Sequence, residues 1–124
     1  MRLVLFCLLA LVTTPAWADW VAVGKSVSGN ITYIDPASIQ KTGAIIQVWE
    51  FTDLKQRGAN EEMSKRYLSE YDCKDRRSRI LSISGYSEAM LRGKTLYSDT
   101  SNQEWDYVAP DTLLEDILDR VCAM

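Results

Sequence analysis

The sequence predicts an α+β domain: an antiparallel meander sheet of about five to six strands with one C-terminal helix packed on it. Three observations carry that expectation. Short runs rich in β-branched and aromatic residues recur between turn signals, from "DWVAVG" at Asp19 to "GKTLYSD" at Gly93. The connections between them are too short for the crossover helices that parallel strands require. Past Pro110 the apolar spacing changes from two to about four, which is the signature of an amphipathic helix.

The chain opens with "MRLVLFCLLALVTTPAWADW". Arg2 gives a positive n-region, and Leu3 to Val12 form an apolar run too short to span a bilayer. Pro15 then breaks the run before Ala16-Trp17-Ala18, which has small residues where a signal peptidase reads. Residues 1–18 therefore read as a cleaved secretory signal peptide, with Asp19 starting a single domain over 19–124. Cys7 lies inside the apolar run, too early for a lipoprotein cysteine, so no lipid or membrane anchor is predicted.

In the remaining chain, "DWVAVG" alternates Trp20 and Ala22 against Val21 and Val23, and "NITYIDP" places a strand over Ile31 to Ile34. "AIIQVWEF" is the strongest strand, with Ile45, Trp49 and Phe51 on one face and Ile46 and Val48 on the other. The connection from Asp53 to Ser64 is longer than a tight hairpin and reads as mobile. "SKRYLSEYDC" puts Tyr67, Tyr71 and Cys73 on one face, and "SRILSISGY" puts Leu81 and Ile83 on one face. Thr112 with Glu115 forms a capping-box pattern, after which Leu113, Ile117, Val121 and Leu114, Leu118, Cys122 build a wide apolar arc. Asp111, Glu115 and Asp119 lie opposite, so the outer face of the helix is acidic.

The formal net charge of −3 becomes −4 once Arg2 leaves with the signal peptide. That balance argues against general affinity for nucleic acid, which needs clustered positive charge. Two cysteines then remain in an oxidising compartment, so a Cys73–Cys122 disulfide is expected. A metal site at Cys73 would need further ligands, and the chain has no histidine and no CxxC. A catalytic thiolate would want a neighbouring base and no partner thiol.

The same lack of histidine excludes Ser-His-Asp and Cys-His chemistry, and there is no Gly-rich phosphate loop. Glu115 with Asp119, and Asp72 with Asp75, are carboxylate pairs that read as solvated acidic surface. No enzymatic activity, catalytic residue, metal or cofactor is predicted. The basic run Lys74, Arg76, Arg77 and Arg79 is the candidate protein-binding loop, a cationic patch at a strand-to-strand turn able to hold an acidic protein segment or a sulfated glycan. A solvated turn that keeps a sheet end soluble is the plainer reading of the same residues. Lys55 and Arg57 would extend the patch only if both loops fall at one end of the sheet. Most of the aromatic residues read as core or cross-strand packing, and an exposed subset would anchor an interface.

From Trp20 to Cys122 the chain resembles the surface-adhesin protein E-like proteins of Gram-negative bacteria. The resemblance rests on "WVAVG", "YIDPASI", "VWEF", "YDC", "GYSEAMLRG", "WDYVAP" and the terminal cysteine, in that order and spacing. It implies an antiparallel sheet tied to a C-terminal helix by a disulfide. It also implies a surface lipoprotein that dimerises and binds host extracellular-matrix and serum proteins such as vitronectin and laminin. The sequence departs from that pattern in having no lipobox cysteine.

The expected function is accordingly that of a non-enzymatic exported binding protein, periplasmic or secreted, with a protein partner and a homodimer in view. Two other readings stand beside it. One is a periplasmic inhibitor, for example of lysozyme, whose positive charge would suit an acidic protein. The other is an assembly or structural partner in the cell envelope.

Overall fold

The computed structural model describes residues 19–100 and 103–124. The expected signal peptide lies outside the described residues. Among the described residues eight strands form one antiparallel sheet. They are β1 (Val21–Lys25), β2 (Ile31–Ile34), β3 (Gln40–Thr42), β4 (Ile45–Asp53), β5 (Ser64–Asp72), β6 (Arg77–Tyr86), β7 (Thr95–Asp99) and β8 (Asp106–Tyr107), followed by helix α1 (Leu113–Cys122). The six longer strands run in the order β1-β2-β4-β5-β6-β7, so the expected meander is observed. The two additional strands are short: β3 pairs with β4, and β8 pairs with β6.

Helix α1 covers one face of this sheet. Ile34, Ile46, Val48 and Tyr71 point at it and form the core with Ile117, Leu118 and Val121. The register explains the grouping, since Ile46 lies opposite Tyr71 and residues directly opposed across an antiparallel pair share a face. Two bulges alter the simple alternation. Val23 is the extra residue between Ala22 and Gly24 and turns into the core, 4% exposed. Leu81 is the extra residue between Ile80 and Ser82, so Ile80 and Ile83, both opposed to helix-facing residues of β5, come to the same face. The expected pairing of Leu81 with Ile83 does not account for that inserted residue.

The helix starts as the sequence suggests. Thr112 Oγ1 accepts the Glu115 N–H at 3.3 Å, and the Glu115 carboxylate reaches back to the N–H of Asp111. Close approach to β1 is made possible by Gly24: a Cβ there would sit 2.6 Å from Leu113 Cδ1. At its other end the helix is joined to the end of β5 by the Cys73–Cys122 disulfide, with the two Cα atoms 5.8 Å apart.

The Asp53-to-Ser64 connection is knit rather than open. Leu54 donates to the Met63 carbonyl and Gly58 to the Glu62 carbonyl, while the buried Glu62 carboxylate accepts from the Asn60 N–H. Backbone polar groups taken up internally in this way hold a long loop to one course.

Candidate functional site

The basic run divides between the two faces of the sheet. Arg76 occupies the left-handed region (φ 53°) in the β5–β6 turn, which directs its side chain to the helix. There it donates to Asp119 at 3.0 Å and to Glu115 at 3.4 Å. Arg77 and Arg79 point to the face opposite the helix. Arg77 pairs with Asp72 at 2.7 Å and lies 3.7 Å from Asp75, and Arg79 pairs with Glu70 at 2.7 Å. The Trp105 ring lies against both guanidiniums, 5.1 Å from Arg77 and 4.4 Å from Arg79.

The two carboxylate pairs read from the sequence as solvated surface are thus counterions of the basic run. Asp72 shows the consequence: the N–H of Asp75 and the Arg77 guanidinium hold its carboxyl below the usual carboxylate range. Lys74 is exposed and takes no ion-pair partner among the described residues. Lys55 and Arg57 do not extend the group. Their loop leaves the end of β4 opposite the β5–β6 turn, as antiparallel order requires.

Further along the open face lies an aromatic cluster that also carries a guanidinium. Phe51 is 1% exposed because Trp20 meets it edge-on at 4.8 Å and Tyr33 stacks on it at 4.7 Å. Arg66 lies 4.9 Å from the Trp49 ring and 5.9 Å from the Tyr86 ring. The open face therefore carries arginines on aromatic rings, Arg66 of β5 on Trp49 and Tyr86, and Arg77 and Arg79 of β6 on Trp105, which precedes β8.

The helix face carries a second feature, found by no motif. Under the N-terminal half of α1 is a cleft of about 340 Å³. Leu113, Leu114 and Ile117 form its helix wall, with Ile80 opposite and Thr32, Thr52 and Tyr67 on the sheet floor. Glu50 lines it too, 8% exposed, accepting hydrogen bonds from Ser69 Oγ at 2.6 Å and the Tyr71 hydroxyl at 2.8 Å. Burial pushes the Glu50 carboxyl up despite those two donors. Burial and the nearby Glu50 push the Tyr67 hydroxyl up to about 12. The signal for Glu50 is present in the strand alternation: two residues beyond Val48 it falls on the helix face, where glutamate is out of place. Among the described residues no group of histidine, cysteine or acidic side chains is arranged to hold a metal ion.

Comparison with known proteins agrees with this architecture. The family model described as "Surface-adhesin protein E" matches residues 20–123. No curated protein matches the chain. Among solved structures, crystal form II of Haemophilus influenzae protein E superposes with a TM-score of 0.68 at 18% identity, covering 87% of this chain and 90% of that one. The protein E structure from non-typeable Haemophilus influenzae gives 0.65 at 18% identity, covering 89% of this chain and 79% of that one. At this identity the likeness establishes a shared fold.

Proposed function

Because the chain belongs to the surface-adhesin protein E family, we propose that it is an exported, non-enzymatic binding protein that recognises host extracellular-matrix or serum proteins. The observation that carries the proposal is the family match over nearly the whole described chain. Residues 1–18 serve as the export signal in this reading, and 19–124 form the binding domain.

The surface we assign to the partner is the β5–β6 end of the sheet, where Lys74 and Arg76 lie in the turn, Arg76 directed to the helix side, and Arg77 and Arg79 stand on the opposite face. Internal carboxylates orient three of these four side chains, and orientation in advance lowers the entropy lost on docking. Trp105 adds an aromatic surface next to Arg77 and Arg79, a combination common at protein interfaces. Lys74 supplies the uncompensated charge that an acidic partner segment would meet first.

Binding to immobilised vitronectin and laminin, measured with the native chain and with Lys74, Arg76, Arg77 and Arg79 replaced together by alanine, tests this reading. Loss of affinity in the variant and weakening of the native interaction by salt are expected. Affinity unchanged in both respects would remove this surface. Protease shaving of intact cells tests export to the surface, and protection in the periplasm would exclude adhesion. A homodimer belongs to the same proposal, and a monomer by size-exclusion with light scattering would remove it.

A further inference from the structure

The cleft beneath α1 lies on the opposite face of the sheet from the arginine–aromatic contacts and has chemistry of its own. Its walls are mostly aliphatic, and its acidic group is held in place before any ligand arrives. Glu50 receives hydrogen bonds from two neutral hydroxyls, Ser69 and Tyr71, and from no cation. None of the ion pairs among the described residues includes it. A carboxyl group so deeply enclosed either keeps its proton or is paired with a positive group, because withdrawing an unpaired charge from water is costly; a cation entering the cleft would favour the ionised form.

The volume of about 340 Å³ falls at the small end of the range for ligand pockets. We infer that the cleft is a binding site for a small organic cation, a primary ammonium group on a short apolar stem. The ammonium supplies the positive partner that Glu50 lacks. Its three donors can be shared between that carboxylate and the hydroxyl oxygens of the floor, where Thr32 and Thr52 lie 3.2 Å from each other. The stem lies along Leu113, Leu114, Ile117 and Ile80. An anion meets Glu50 as a like charge, and a neutral alcohol of equal length gains the apolar contact without the ion pair. This inference is independent of the protein-binding reading, since it uses no residue of the β5–β6 turn.

Methyl NMR of the disulfide-intact chain, titrated separately with hexylamine, 1-hexanol and hexanoate, tests it. Hexylamine is expected to shift the methyls of Ile80, Leu113, Leu114 and Ile117 and to leave those of the fully exposed Val27 in place. Its affinity should exceed that of 1-hexanol by about tenfold or more, the usual scale for a hydrogen bond to a charged group, with hexanoate weaker still. Glu50→Gln should remove that preference and leave 1-hexanol binding unchanged. Leu114→Trp, at a half-exposed wall position, should fill the cleft and abolish both, and it decides the matter if Glu50→Gln fails to fold. A cleft that holds solvent only would show no methyl shifts with hexylamine, and the inference would fall. It would fall equally if 1-hexanol or hexanoate bound as tightly as the amine, or if Glu50→Gln kept full amine affinity.

Discussion

The hydroxyl of Tyr71 on β5 donates at 2.8 Å to the carboxyl of Glu50 on β4, which lies beneath the helix with no ion-pair partner among the described residues. An acidic group is thereby fixed among the residues that hold the helix to the sheet.

The pH dependence of stability follows from that placement. Burial raises the folded-state value of Glu50 above its ordinary 4.5, so the folded chain keeps a proton that the unfolded chain releases. The contribution is complete below 4.5 and is lost as pH rises through the folded-state value. Glu50→Gln should therefore gain stability relative to the native chain as pH is raised across that interval, measured by guanidinium unfolding at a series of pH values. A difference that stays constant with pH would contradict the assignment.

Asp72 acts in the opposite direction. Its carboxyl is lowered by the Asp75 N–H and by Arg77, so its contribution is present above 3.8 and lost as pH falls from there through the folded-state value. Asp72→Asn should be less stable than the native chain at neutral pH and should lose less on acidification. Acid unfolding followed by tryptophan fluorescence checks both parts.

The disulfide should account for a large share of the stability. Cys73 and Cys122 are 49 residues apart, and chain-entropy arguments give roughly 4 kcal/mol for a loop of that size. Replacing both cysteines by serine should lower the unfolding free energy by about that amount. Denaturant titration of the double variant beside the oxidised native chain measures it.

The contact between β1 and the helix can be probed at Gly24. Alanine there places its Cβ 2.6 Å from Leu113 Cδ1, and because Leu113 can turn aside the cost should be about 1 kcal/mol, near the low end for overpacking. The cost should shrink in a Leu113→Ala background, so thermal melts of the two single variants and the double variant form a direct test.

Much of this architecture is legible in the sequence because the signals are local. The alternation in "AIIQVWEF", the period of four after Thr112 and the two cysteines that remain once Cys7 is set aside with the expected signal peptide each follow from residues close in sequence or from a count. The missed strands carry weak versions of those signals: β3 is three exposed polar residues, and β8 is two exposed ones. Bulges are harder to foresee, since inserting Leu81 changes no composition and still brings Ile80 to the helix face. The basic run shows the principal limit of local reading. Arg76, Arg77 and Arg79 lie within four residues, yet a left-handed turn residue and the pleat send Arg76 to one face and the other two to the opposite one, each to different carboxylates. The cleft required tertiary information, because Glu50, Ile80 and Leu113 are brought together only when the helix is laid over the sheet.

Helix α1 is fastened at unequal strengths along its length. Its last turn is covalently joined to the end of β5 through Cys122, whereas its first turn is held by the van der Waals fit of Leu113 over Gly24 and the partly exposed ion pair of Glu115 with Arg76. Such a body is a lever with its fulcrum at the sulfurs. Ten residues give it an arm of about 15 Å, so a tilt of roughly 5° raises the Leu113 end by about 1.3 Å while Cys122 hardly moves. The mouth of the cleft lies under the Leu113 end, so a tilt about the disulfide would widen that mouth while leaving the Cys122 end seated.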